Sequence, residues 1–186
     1  MKSGIKLLLS IILLHITMPV FPVVEPEFIP KTINFGHKQA HNRKIDVIII
    51  HSVYNASGGD IYDVNLIIKQ FARYKVSPHY LIDREGKIYR MVKDKDIAYH
   101  AGVSSLPDGS SGINNRSIGI EIITSLDEAP SAMQIDVTVK LVKHLLEKYP
   151  VKYVLRHSDI APGRKTDPWN MNWEGFIKRI KEKTDE

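Results

Sequence analysis

Eight histidines and no cysteine restrict the metal chemistry open to this chain. Thiolate ligands, cysteine nucleophiles and disulfides are excluded, so any transition-metal site must be built from imidazole and carboxylate. Two histidines occupy telling positions. His51 follows the apolar run Ile45-Asp-Val-Ile-Ile-Ile50, and His157 follows Lys152-Tyr-Val-Leu-Arg156. Both runs read as strands, and ligands of open α/β sheets gather beyond the carboxyl ends of strands. Two imidazoles far apart in sequence can therefore meet. The segment after His157 reads Ser158-Asp159-Ile-Ala-Pro162-Gly163-Arg-Lys165-Thr-Asp167-Pro168. A turn at Pro162-Gly163 can fold Asp167 back toward His157. Two imidazoles and one carboxylate would make the three protein ligands of a catalytic zinc, whose fourth position stays open for water. Asp159 offers a different use, accepting an imidazole N–H from behind, and a plain charged surface loop is a third reading of the same residues.

Glu121 interrupts Ile118, Ile120, Ile122 and Ile123 within another apolar run. A carboxylate in a buried strand needs a cation, a donor or a proton. In a half-exposed strand, alternation would simply turn it to solvent. Beside a metal-activated water it becomes a general base. His37 and His41, four apart between basic residues, lack a third ligand and read as surface.

The elements that must position these groups follow from periodicity. Val64, Ile67, Ile68 and Phe71 mark an amphipathic helix with Asp60 and Asp63 as candidate caps. His79–Asp83 and Lys87–Met91 form a hairpin about Arg84-Glu85-Gly86, and Ile97–Ala101 reads as a short strand. Val103 to Arg116 is a long Ser, Gly, Asn and Pro-rich loop, and Ser117–Ile123 a buried strand. Ser131 and Gln134 spell a capping box opening a helix that carries Leu141, Val142, Leu145 and Tyr149 and stops at Pro150. A last helix is expected over Trp173–Lys181. The expectation is a single α/β domain, with a central mixed β-sheet flanked by helices.

Composition narrows the class further. The 186 residues are 43% hydrophobic and 25% charged, which excludes disordered and fibrous chains. A formal charge of +5 without any basic block argues against nucleic acid as a partner. Lys2 and Lys6 precede an apolar run from Leu7 to Met18, cut short by Pro19 and Pro22. That pattern reads as a signal peptide or N-terminal anchor over residues 1–24, shorter than the about 20 apolar residues of a membrane span. The expected location is therefore outside the cytoplasm, in the periplasm or tethered to a membrane facing it. Residues 25–44, with Pro26, Pro30 and Gly36, read as a linker, leaving 45–182 as the domain.

Five blocks in order carry a resemblance: Ile-Ile-His51-Ser, His79-Tyr-Leu-Ile-Asp-Arg-Glu-Gly, Tyr99-His-Ala-Gly, Asn115-Arg-Ser-Ile-Gly-Ile-Glu121, and Arg156-His157-Ser-Asp-Ile-Ala-Pro-Gly-Arg-Lys165-Thr-Asp167-Pro. From about Ile45 to Trp173 the chain resembles the zinc-dependent N-acetylmuramoyl-L-alanine amidases, the amidase-2 group of AmpD-type enzymes, phage lysozyme-amidases and peptidoglycan recognition proteins. The resemblance implies one zinc per chain held by His51, His157 and Asp167, with Glu121 and Lys165 at the catalytic centre. It implies peptidoglycan or muropeptides as substrate, cut at the amide between N-acetylmuramic acid and L-alanine. Asp167 stands where some relatives have Cys, and Pro78 where some have Tyr beside the His79 position, which points to the AmpD-type branch. Trp169 departs from the usual Gly after Asp-Pro. His100 and Asn115 are the expected substrate contacts, His79 is structural, and His144 lies on a helix surface. The alternative is a catalytically silent peptidoglycan-binding module. A zinc peptidase is disfavoured because the chain has no His-Glu-x-x-His helix.

Overall fold

β-Branched residues build the centre of the sheet. In the computed structural model, which describes residues 25–182, three strands of this kind lie side by side. The elements in chain order are β1 (Phe28–Pro30), β2 (His37–Lys38), β3 (Val47–Val53), α1 (Val64–Tyr74), β4 (Tyr80–Ile82), β5 (Ile88–Arg90) and β6 (Ile97–Ala98). They continue with a 3-10 turn (Ile113–Asn115), β7 (Ser117–Ile123), α2 (Ala132–Lys148), β8 (Tyr153–Arg156), α3 (His157–Ile160) and α4 (Trp173–Lys181). The main sheet has the order β1-β5-β4-β7-β3-β8, and β2 pairs with β6 in a separate two-stranded ribbon. All pairings in the main sheet are parallel except β4 with β5, so the sheet is mixed and the domain α/β, as expected.

One face is a continuous core. Ile48, Ile50, Ile118, Ile120, Ile122, Tyr80 and Ile82 meet Val139, Leu141, Val142 and Leu145 of α2 and Phe176 and Ile180 of α4. Each such fully buried aliphatic side chain contributes about 1.5–3 kcal/mol, so this face dominates the stability. The opposite face is divided. Val53, Leu81 and Ile123 pack under α1 through Ile67 and Phe71, whereas Val47 and Ile49 pack under Ala101, Leu106, Ile113 and Ile160. Between these two clusters lie the groups of chemical interest.

The helix ends obey local rules. Asp63 accepts from the backbone N–H of Leu66 to cap α1, and Ser131 with Gln134 closes the capping box of α2. The Gln134 amide also donates to the Ile123 carbonyl at 2.7 Å, tying α2 to the end of β7.

Three expectations need correction. β3 does not stop before His51 but runs to Val53, because the parallel ladder with β7 continues through His51↔Glu121 to Val53↔Ile123. The stretch expected as linker carries β1 and β2, which have too few residues to show periodicity and exist by pairing with β5 and β6. Ile97–Ala101 is a strand only over Ile97–Ala98. The N-terminal run of residues 1–24 lies outside the described residues.

Candidate metal centre

His51 and Glu121 are register partners on adjacent parallel strands and so project from one face of the sheet, in the gap between its two clusters. His157 opens α3 directly beyond β8, whose partner is also β3. The turn at Gly163, with φ 75°, reverses the chain, and the Ser158 N–H donates to the Asp167 carbonyl at 3.0 Å. These local devices bring three buried side chains together. His51 Nδ1 lies 2.9 Å from His157 Nδ1, and Asp167 Oδ2 lies 3.1 Å from His157 Nδ1 and 3.4 Å from His51 Nδ1.

Hydrogen-bond logic fixes what these atoms present to one another. His157 Nε2 sits 3.2 Å from the Ala101 carbonyl, which can only accept, so the ring proton is on Nε2. Behind His51, its Nε2 lies 3.0 Å from His100 Nδ1, and His100 Nε2 lies 3.0 Å from Ser117 Oγ. The Ser117 hydroxyl spends its single proton on the Ile113 carbonyl at 2.7 Å. It must therefore accept from His100, and His100 must accept from His51. Both imidazoles then carry their protons on the far side and turn bare Nδ1 lone pairs toward the Asp167 carboxylate. Three electron-pair donors facing one another inside a protein call for a cation. Their mutual spacing of 2.9–3.4 Å suits the edges of a tetrahedron of donors, about 3.3 Å for bonds of the zinc–nitrogen and zinc–oxygen class. Among the described residues, this is the group of side chains able to hold a metal.

The electrostatics agree. Burial pushes the His51 pKa down to about 4, against the pull of Asp167, so the ring is neutral and free to ligate. Glu121 goes the other way. Burial, then the charge of Asp167, drives it well above the usual carboxylate range, with Lys165 opposing. Its Oε2 is sealed from solvent and has no hydrogen-bond partner among the described residues. The carboxyl is a proton-avid group set beside the donor triangle.

The remaining expectations divide. His79 is structural: its Nδ1 accepts from the Gly119 N–H at 3.0 Å and its Nε2 donates to the Asp96 carbonyl. Asp159 serves neither as ligand nor as imidazole acceptor, because it accepts from the Arg156 backbone N–H and guanidinium. His100 is not a substrate contact, since both of its ring nitrogens are engaged inside the protein, on His51 and Ser117. Asn115 is exposed at the start of β7, the strand end opposite Glu121, and does not face the donors. Its neighbour Asn114 has an internal, structural part. Its side-chain oxygen accepts from the backbone N–H groups of both His100 and Ala101, at 3.1 and 2.9 Å. Ser117, Gly119 and Glu121 alternate along one face of an otherwise isoleucine strand. That stripe of small and polar residues is the sequence signal by which the support behind His51 was findable. Trp169 takes the site's rim, its ring 5.7 Å from that of Tyr54 and its indole N–H donating to Thr166.

Comparison with known proteins places this geometry among relatives. The amidase-2 family model, described as N-acetylmuramoyl-L-alanine amidase, matches residues 41–170. The chain is 28% identical over 161 residues to 1,6-anhydro-N-acetylmuramyl-L-alanine amidase AmpD of Haemophilus influenzae, covering 77% of this chain and 87% of that protein. It is 32% identical over 148 residues to N-acetylmuramoyl-L-alanine amidase AmiD of Escherichia coli, covering 70% of this chain but only 51% of AmiD. The crystal structure of a selenomethionine derivative of AmpD superposes with a TM-score of 0.69 at 27% identity, covering 84% of this chain and 95% of that one. AmiD has been solved in complex with the substrate anhydro-N-acetylmuramic acid-L-Ala-D-gamma-Glu-L-Lys, and that structure superposes with a TM-score of 0.61 at 27% identity, covering 76% of this chain and 60% of that one.

Proposed function

The chain belongs to the amidase-2 family of N-acetylmuramoyl-L-alanine amidases, and on that premise we propose that it hydrolyses the amide between N-acetylmuramic acid and L-alanine with a zinc ion held by His51, His157 and Asp167. The observation that carries the reading is the triangle of bare donors, two Nδ1 atoms and one carboxylate oxygen, within 2.9–3.4 Å of one another. The fit of that donor set to zinc is chemical as well as metric: neutral imidazole and carboxylate suit a borderline ion, and three protein ligands leave a coordination position for reactants. When bound, the ion supplies Lewis acidity, which lowers the pKa of a water toward neutrality and polarises the scissile carbonyl.

The chain's own residues do the rest. Glu121, whose pKa is raised by burial and by Asp167, takes the proton of the attacking water as its oxygen adds to the carbonyl carbon. The same carboxyl then passes that proton to the alanine nitrogen as the C–N bond breaks. The products are a lactyl carboxylate on the sugar and a peptide with a free amino-terminal alanine. Lys165, close enough to lower the pKa of Glu121, is the cation that stabilises the tetrahedral oxyanion. The known amidases AmpD and AmiD support this substrate class, and AmiD's solved ligand is an anhydro-muramyl peptide. Export to the periplasm, with or without a retained membrane tether, is proposed from the charged and apolar pattern of residues 1–24.

Metal analysis and product analysis test the reading together. Purified full-length protein should carry about one zinc per chain. Digestion of sacculi and of anhydro-muropeptides should release peptides bearing new amino-terminal alanine. Protein that neither contains nor responds to zinc, or a cut within the stem peptide, overturns it.

A further inference from the structure

We propose that His100 is a positioning residue for the metal centre, and that the His100-Ala101 dipeptide is the common brace of both ligand imidazoles. The inference rests on the zinc reading above and deepens it. His51 Nε2–H donates to His100 Nδ1 at 3.0 Å, and His157 Nε2–H donates to the carbonyl of the next residue, Ala101, at 3.2 Å. Two imidazoles 106 residues apart in the chain thus take their tautomer from one dipeptide. Metal-bound imidazoles ordinarily have such an acceptor behind them, and it sets ring orientation and ligand basicity. Here the acceptor for His51 is a second imidazole, which could present either of its nitrogens.

The structure removes that ambiguity. Ser117, its proton committed to the Ile113 carbonyl, leaves only a lone pair for His100 Nε2–H, so Nδ1 of His100 must accept. The proton order runs from His51 through His100 and Ser117 to a backbone carbonyl, with each donor fixed by the next. Position is fixed as strictly as polarity. The His100 ring lies flat against Gly119, where a Cβ would stand 2.4 Å from His100 Cγ, closer than any real contact. Asn114 clamps the two backbone N–H groups of the dipeptide. None of these residues reaches the donor triangle; they act through His51 and His157.

Zinc affinity of the full chain, measured by chelator competition, reads the proposal directly. H100F keeps a planar ring over Gly119 but has no nitrogen, and it should bind zinc about 10- to 100-fold more weakly than the wild type. H100N returns an acceptor at the Nδ1 position and should recover most of that loss, which a merely space-filling role would not produce. Imidazole nitrogen NMR of the zinc-loaded protein should show the His51 Nε2–H resonance in the wild type and H100N, and shifted or exchange-broadened in H100F. Should H100F not fold, S117A carries the test, since it frees the His100 tautomer and should weaken zinc binding by a smaller factor. Wild-type affinity in H100F, or in S117A if H100F is lost, overturns the inference while leaving the amidase reading standing. Wild-type protein that takes up no zinc overturns both.

Discussion

Glu121 owes its raised pKa to its setting, a carboxyl with one oxygen sealed from solvent beside the Asp167 charge. That setting has two measurable results. An acid whose folded pKa is raised binds its proton more tightly in the native than in the unfolded state, so native stability falls as pH rises through the folded value. Glu121→Gln removes this charge without changing shape, and should raise the melting temperature of the metal-free protein at neutral pH. The same substitution should cut turnover by about 10²- to 10⁴-fold and leave zinc bound, since Glu121 is not one of the three donors. In the metal-free protein, Glu121 should titrate above the ordinary glutamate value of 4.5, read by side-chain carboxyl NMR. A midpoint at or below the ordinary value would mean that burial and the Asp167 charge do not hold the proton there. Lys165→Met should cost about 10²- to 10³-fold in kcat with little change in zinc content, read by steady-state kinetics and metal analysis.

Elements decide how such residues come together, and they were unevenly legible. α2 was visible because its start is written in chemistry, Ser131 and Gln134 each satisfying the other's backbone. Ser131→Ala should lower stability by about 1 kcal/mol in urea unfolding. β3, β7 and β8 are visible as apolar runs, and their ends make His51 and His157 candidates, but spacing leaves Asp167, Asp159 and a plain surface loop open, and it is the resemblance over five ordered blocks that implies the set His51, His157 and Asp167. What periodicity could not show was which loop packs behind the ligands. The role of His100 depends on the segment between β6 and β7 folding back across β7, a tertiary event with no local signature beyond the glycine it presses on. For the same reason nothing in the sequence marks Asn114, whose side-chain oxygen holds the backbone N–H groups of His100 and Ala101. Gly119→Ala should destabilise the domain by about 1–3 kcal/mol through overpacking against the His100 ring, checked by denaturant midpoint.

The whole molecule sets one robust face against one divided face. α2 and α4 bury a continuous core, while the other side is two clusters with the candidate metal donors between them. Buried histidines add a pH dependence on this side. His51 is pushed to about 4 and His79 to about 3 by burial, against 6.5 for the free side chain. On acidification the unfolded chain takes up these protons first, so stability is lost from about pH 6.5 downward until the folded values are reached, at about 1.4 kcal/mol per pH unit for each histidine. Urea midpoints of the metal-free protein between pH 7 and 4 should follow that slope, and His79→Gln should flatten it. The divided face also bears on how the molecule breathes. His51 comes from the sheet, while His157 and Asp167 come from the C-terminal segment, and the dipeptide behind them belongs to the lobe covering Val47 and Ile49. An ion gripped by all three donors would fasten that lobe to the strands like a rivet. In deuterium uptake, the amides of His100 and Ala101 should exchange through local opening in the stripped protein and slow toward the rate of the β3 core once the ion is restored.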